Sequence, residues 1–344
     1  MLDSWRVREN LQLDLGFRQD WDRLVGAVAF SPRLSFSLSP FGSTSTRIAG
    51  GYAITRDSNS LALFSRPLDQ YAITTQFQPD GSAAFPPAPE IYTIDRRYLR
   101  APRYGNWSAS FDRRLSENMR ASINYLRRRG SDGFTYVNAI APGIPAPPPE
   151  VVAVPGTPLT GLFTLANQRR DEYDSIEVAF HRSFAEQHEV MASYTRSRAV
   201  SNAVLDLSID QPLQVLNNAG PMPWDSPNRL LSWGYLPLPG KHWSWAYLVE
   251  LRSGFPFSVQ DEHGVVVGPV NSYRYPLNFD LNLHLEYRFV FRGYRLAIRV
   301  GFNNLTDHEN PTAVNNTIGS AQFLQFFGSE GRHAVIRLRF FGKA

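Results

Sequence analysis

Residues 276–344 set the strongest constraint on what this chain can fold into. Leu277, Phe279, Leu281, Leu283, Leu285, Tyr287 and Phe289 alternate with Asn278, Asp280, Asn282, His284, Glu286 and Arg288. After Arg292 and Gly293 the alternation resumes, with Tyr294, Leu296, Ile298, Val300 and Phe302 set against Arg295, Arg299 and Asn303. A third run places Ala334, Ile336, Leu338 and Phe340 against Arg337 and Arg339. A period of two sends one face of an extended chain into an apolar medium and the other into a polar one. Runs this long, with full charges on the polar side, exceed what a soluble sandwich needs. They predict an all-β, antiparallel transmembrane β-barrel. On that reading Leu281, Leu283, Leu285, Tyr287, Leu296, Ile298, Val300, Ile336, Leu338 and Phe340 face lipid. Asn282, His284, Glu286, Arg288, Arg295, Arg299, Arg337 and Arg339 face a lumen.

Composition is consistent with this. The 344 residues suffice for one large barrel or two ordinary domains, and we read 1–344 as a single barrel domain. Mean hydropathy is −0.29 and no apolar run reaches roughly 18 residues, which excludes transmembrane helices but not strands. The absence of cysteine rules out a disulfide framework and a thiolate metal site. Arginine supplies 33 of the 35 basic residues, and its planar fork suits a lumen lined with carboxylates. The basic residues are scattered along strands instead of forming one patch, which argues against nucleic acid as a partner. The opening Met1, Leu2, Asp3, Ser4 and Trp5 show no basic n-region, apolar core or cleavage site, so this chain is expected to carry no secretory signal.

Reading strands by period and turns by Gly, Pro, Asn and Asp clusters yields about twelve strands, the first over 5–19, the second over 30–39 and the third over 46–56. Short connections fall at 40–45, 115–118, 185–187, 237–241 and 291–293. Long ones fall at about 57–104, 130–170, 200–227, 255–276 and 305–330, and the two classes alternate. Outer-membrane barrels have short periplasmic turns and long external loops. Across the connection at Arg292, an odd-sum pairing sets Tyr287, Leu285, Leu283 and Leu281 against Leu296, Ile298, Val300 and Phe302, or neighbours shifted by two. Trp107, Trp233, Trp243 and Trp245 are read as interface aromatics, the amphipathic rings that sit where lipid meets water. In the eighth of these strands, Leu231, Trp233 and Tyr235 are expected on one face.

Little in the sequence points to chemistry. The seven His, from His181 to His333, form no H-E-x-x-H or comparable spacing, so no metal or cofactor is expected. No G-x-S-x-G elbow occurs, and no enzyme is expected. The Asp171-Glu172-Tyr173-Asp174 run opens a strand after a long loop and reads as an acidic rim more readily than as a cation site. The Pro-rich segment 142–158 reads as a stiff surface loop.

Several segments resemble TonB-dependent receptors of the large Oar-like branch. They are Phe30-Ser31-Pro32-Arg33-Leu34, Arg47-Ile48-Ala49-Gly50-Gly51-Tyr52, the strand end from Tyr125 to Gly130, Asp225-Ser226-Pro227-Asn228-Arg229, Ser253-Gly254-Phe255-Pro256-Phe257 and Phe302-Asn303-Asn304-Leu305-Thr306-Asp307-His308. They occur in the order of that family's carboxy-terminal barrel half and span most of the chain. The resemblance implies part of a 22-stranded barrel in the outer membrane, assembled there by the barrel assembly machinery and surrounded by outer-membrane lipid. It also implies uptake of a siderophore, saccharide or peptide, with the TonB system a partner only if a plug domain is supplied by sequence beyond this chain. Phe341 is followed by Gly342, Lys343 and Ala344, whereas outer-membrane proteins often end on the aromatic itself. Three other readings stand beside it. A self-contained 12-stranded passive pore would close strand 5–19 onto strand 331–341. An outer-membrane enzyme would need Ser, Asp and His converging at a rim. A soluble sandwich or propeller would fold without detergent.

Overall fold

In a computed structural model the described residues are 2–40, 45–56, 61–65, 71–75, 77, 78, 80–83, 88–138, 161–184, 188–204, 219–240, 242–262, 264 and 266–343. The Pro-rich segment 142–158, the turn at 185–187 and His263 lie outside them. Thirteen long strands form one antiparallel sheet whose neighbours follow chain order. They are β1 (Leu2–Arg8), β2 (Leu11–Asp22), β3 (Ala27–Leu38), β4 (Thr46–Arg56), β5 (Arg103–Ser116), β6 (Met119–Ser131) and β7 (Asp171–Ser183). They continue as β8 (Glu189–Ser201), β9 (Asn228–Pro237), β10 (Trp243–Arg252), β11 (Asn278–Phe291), β12 (Tyr294–Asn303) and β13 (His333–Lys343). Most are ten residues or longer, enough for a tilted strand to cross a bilayer. The fold is an antiparallel β-barrel wall of the outer-membrane type. Its pairing order begins at β1 and ends at β13, and among the described residues no pairing joins the two. The closure that a 12-stranded pore requires is therefore not present in this sheet.

The register carries one apolar face across the strands. Leu15 faces Leu34, Leu34 faces Tyr52 and Tyr52 faces Trp107. In a second row of the same face Ile48 faces Phe111, and Ile123, Val178, Tyr194, Leu230, Leu251 and Phe279 follow strand by strand. On the opposite face Ser110, Asn124, Glu177, Thr195, Arg229, Arg252 and Asn278 run the same course. A slip of one residue anywhere would exchange the two faces, so each pairing is held by its neighbours. On the last strand Ile336 is 77% exposed, Leu338 71% and Phe340 65%, an apolar surface with no protein against it.

The terminal hairpin adopts the shifted odd-sum register. Tyr287 pairs with Ile298, Leu285 with Val300 and Leu283 with Phe302. Its two turn residues both have positive φ, 48° at Arg292 and 78° at Gly293, as a two-residue hairpin turn that follows the strand twist requires. Gly301 marks a close approach of β11 and β12. A Cβ there would lie 2.5 Å from the His284 Cα and would also meet the Leu283 carbonyl.

Two expectations are corrected. The predicted first strand is two, β1 and β2, joined at Glu9 and Asn10, which brings the long strands to thirteen. Even-sum pairing sets Trp5 against Leu13, so odd residues keep one face through the turn and the alternation hides it. Trp233 does not share a face with Trp107, Trp243 and Trp245. It pairs with Met191 and Leu248, on the polar side with Tyr235 and Glu286, while Leu230 takes the apolar side of β9. A strand apolar on both faces has no alternation by which to assign them.

Candidate functional site

The polar face of β11–β13 gathers the charges that the alternation places there. Glu286 is fully buried at its centre. Its Oε1 accepts hydrogen bonds from the Tyr235 hydroxyl at 2.9 Å and the Arg288 Nε at 3.0 Å, and its Oε2 accepts from an Arg339 guanidinium nitrogen at 2.9 Å. A buried carboxylate is tolerable only when paired and hydrogen-bonded in this way. The Arg288 guanidinium also lies over the rings of Tyr235 and Phe341, 5.4 and 5.3 Å from their centres. Arg299 stands directly opposite both Glu286 and Arg337. Asn282 accepts from the Asn304 backbone N–H at 2.8 Å and donates to Asp280, and His284 packs against Gly301. Arg295 sits near the two-residue turn, opposite Val290.

The acidic run at 171–174 does not converge. Asp171 accepts from Arg169 and Tyr104, whereas Asp174 accepts from Arg129 at 2.6 Å across the other face. Among the described residues no group of three or more His, Asp or Glu is arranged to hold a metal ion.

Three of the motifs that carry the family resemblance, at 225–229, 253–257 and 302–308, are clamps at the rim where the long connections lie. Asp225 is 3% exposed. It forms a short ion pair with Arg274 and accepts from the Ala199 N–H at 2.6 Å. Arg274 donates further to the Asp225 and Gly254 carbonyls, tying the 253–277 connection to β8 and β9. Ser226 donates to the Ser253 carbonyl, and Asn228 accepts from Tyr194 and Arg196. Gly254 is needed because a Cβ would strike the Tyr275 and Pro276 carbonyls. In the last motif Asn304 (φ 46°) and Asp307 (φ 56°) turn the chain. The Asn304 side chain closes onto His308 and the Glu330 carbonyl. Sequence reasoning missed Arg274, whose carboxylate partner is 49 positions away with no motif around the arginine to mark it.

The connections on this rim fold together in two places. Tyr71–Thr74, Ala88–Thr93, Gly161–Arg169 and Gly133–Asn138 make a four-stranded sheet in which residues 161–164 run parallel to 90–93. It covers a core of Val25, Phe64, Tyr92, Leu99, Phe134, Tyr136, Phe163 and Leu165. Tyr136 is fully buried and its hydroxyl donates to the Leu63 carbonyl at 2.7 Å. Tyr136→Phe is expected to cost this cap about 1–2 kcal/mol by leaving that carbonyl unpaired. Faster amide exchange across 133–138, with the strands of the wall unchanged, would be the sign of it. At the second place, Phe257, Tyr275 and Phe326 cluster, and Gln260 bonds to Asn316 and Ile318. Burial there pushes the Tyr275 hydroxyl above its ordinary value. In the first cap, hydrogen bonds from Arg97 hold the Asp95 carboxyl below its ordinary value.

A long-stranded antiparallel wall with one apolar and one charged face, and with its long connections at one rim, defines the outer-membrane barrel class. Residues 26–276 match the family model described as an outer membrane beta barrel domain, and the chain belongs to that family. It is an outer-membrane β-barrel protein. No curated protein matches the sequence.

Among solved structures it is similar to the outer membrane transporter YddB from Escherichia coli, with a TM-score of 0.67 and 14% identity over 96% of this chain and 43% of that one. The ferric enterobactin receptor of Pseudomonas aeruginosa, solved as a mutant with enterobactin, aligns with a TM-score of 0.68 and 15% identity over 98% of this chain and 44% of that one. The siderophore receptor PirA of the same organism aligns at 0.56 and 14%, over 99% and 47%. At these identities the likeness is one of fold. The chain spans less than half the length of each.

Proposed function

We propose that this chain forms part of the wall of a TonB-dependent receptor-like barrel and takes part in binding and uptake of a substrate across the outer membrane. Its substrate is a siderophore, a saccharide or a peptide, the classes that the family resemblance implies. The observation that carries the reading is the one-sided placement of the long connections, which fold into two caps at a single rim. That rim is the external end and binds substrate. The charged rows on β11–β13 line the path inside, and the apolar face that carries Leu15, Val178 and Leu338 faces lipid. Trp107 lies near the external end of β5 and Trp243 and Trp245 near the opposite end of β10, as two interface belts require. The fold neighbours that are receptors and transporters support a non-enzymatic role. The TonB system is a partner wherever a plug domain accompanies this wall.

Two measurements on the full chain in its native membrane test this. Protease added to intact cells is expected to cut within 57–102, 132–170 or 202–227 and to spare Glu117, Asn118, Arg292 and Gly293. Labelled siderophore, saccharide and peptide pools are expected to show saturable uptake of one class, abolished by de-energising the inner membrane. Steady ohmic conductance from the purified chain in a planar bilayer would instead favour the passive pore.

A further inference from the structure

The apolar face is not uniform. On β6–β8, just before the long connections, it carries four arginines. One row reads Trp107, Arg127, Asp174, Arg198 across four strands, and the next reads Ala109, Tyr125, Ile176, Arg196, Asn228 across five. Arg129 lies one step further out on β6, opposite Glu172. Below them the same face is Ile123, Val178 and Tyr194. On β11–β13 the corresponding end of this face is Phe279, Phe302 and Ala334, without a charge.

The cluster is not neutralised from within. Asp174 takes a 2.6 Å bond from Arg129 and stands 3.8 Å from Arg127, and Glu172 stands 3.8 Å from Arg129. Arg196 spends its hydrogen bond on the neutral Asn228 side chain at 2.7 Å. Arg198 has no ion pair among the described residues. Four guanidinium groups against two carboxylates leave two positive charges facing outward. Beside them opens a groove of about 530 Å³ whose charged lining is Arg196, Arg198 and Arg274 against Asp174 and Asp225, with Arg274 and Asp225 paired to each other.

Cations crowning an apolar girdle at a membrane interface match one kind of occupant, an amphiphile whose phosphate meets the guanidinium forks while its acyl chains lie on the rings and branched side chains beneath. We propose that Arg127, Arg196 and Arg198 bind the phosphate headgroup of a phosphorylated glycolipid of the outer leaflet, with its chains against Tyr125, Ile176 and Val178. The inference rests on the assignment of this face to lipid made above. Neither substrate uptake nor the inner-wall charges enter into it.

The test places the full chain in phosphatidylcholine nanodiscs and titrates it with outer-leaflet phosphorylated glycolipid and with the same lipid dephosphorylated. Binding of the first alone is expected. The double variant R196Q/R198Q is expected to bind it about 30-fold more weakly, the loss corresponding to two interfacial arginines, and R196K/R198K to keep most of the affinity. Equal binding of both lipids, or an unchanged double variant, overturns the proposal. If the double variant fails to fold, the comparison of the two lipids on the unaltered chain still decides. Quenching of Trp107 and Trp243 by brominated lipid separates the two levels. Without quenching the face assignment itself is wrong, whereas quenching without phosphate selectivity removes only this inference.

Discussion

Glu286→Ala is expected to destabilise the barrel wall by about 3 kcal/mol, the lower end of the range for deleting one member of a buried ion pair. The carboxylate is fully buried and accepts from three donors on three strands, Tyr235, Arg288 and Arg339. Its removal takes the shared carboxylate away from Arg288 and Arg339 and from the facing Arg299, which itself stands opposite Arg337. Like charges directly opposite on one face repel. Both arginines keep some exposure, which tempers the cost. Glu286→Gln keeps an acceptor for the tyrosine but no charge, so a smaller loss is expected. The urea midpoint of the full chain folded into lipid vesicles measures both. Equal midpoints for Glu286→Ala and the unaltered chain would falsify the view that this carboxylate organises the wall.

Asp225→Ala is expected to cost about 3–5 kcal/mol and to do so locally, by releasing a rim connection while sparing the wall. The Asp225 carboxylate holds the Arg274 guanidinium and the Ala199 N–H at once, so its loss removes the anion from both and leaves Arg274 only its two carbonyl acceptors. The 253–277 connection then loses its tie to β8 and β9, and protease on intact cells is expected to cleave it where the unaltered chain resists. Arg274→Ala is expected to give the same cleavage. Because the two side chains act as one unit, the double variant should be no worse than either single one. Additive losses would mean that the pair is not the latch.

Much of the wall is legible in the sequence because a strand between two media must alternate, and an arginine on the lipid face at mid-bilayer costs about 2–4 kcal/mol. That penalty acts on each residue separately, so the pattern can be read without knowing any partner. It reads well for β11–β13, where the faces differ most. It fails at Glu9 and Asn10, where even-sum pairing keeps the parity unbroken through a turn, and at Trp233, in a strand apolar on both sides. The two rim motifs around Asp225 and Asn304 are visible as motifs, but their work as clamps is not. Arg274 is invisible, because nothing local marks an arginine whose partner lies 49 positions away.

By itself the sequence determined the class of fold, the two faces of most strands and the rim that carries the long connections, since each follows from local polarity and spacing. Tertiary structure alone decided the rest. It joined residues 90–93 to 161–164 in a parallel pairing that builds a cap. It buried Glu286 among donors from three strands and brought four arginines of β6 and β8 into one cluster on the apolar face. Those arrangements depend on which strands become neighbours and in what register, and register is a property of pairs of segments that no single segment encodes.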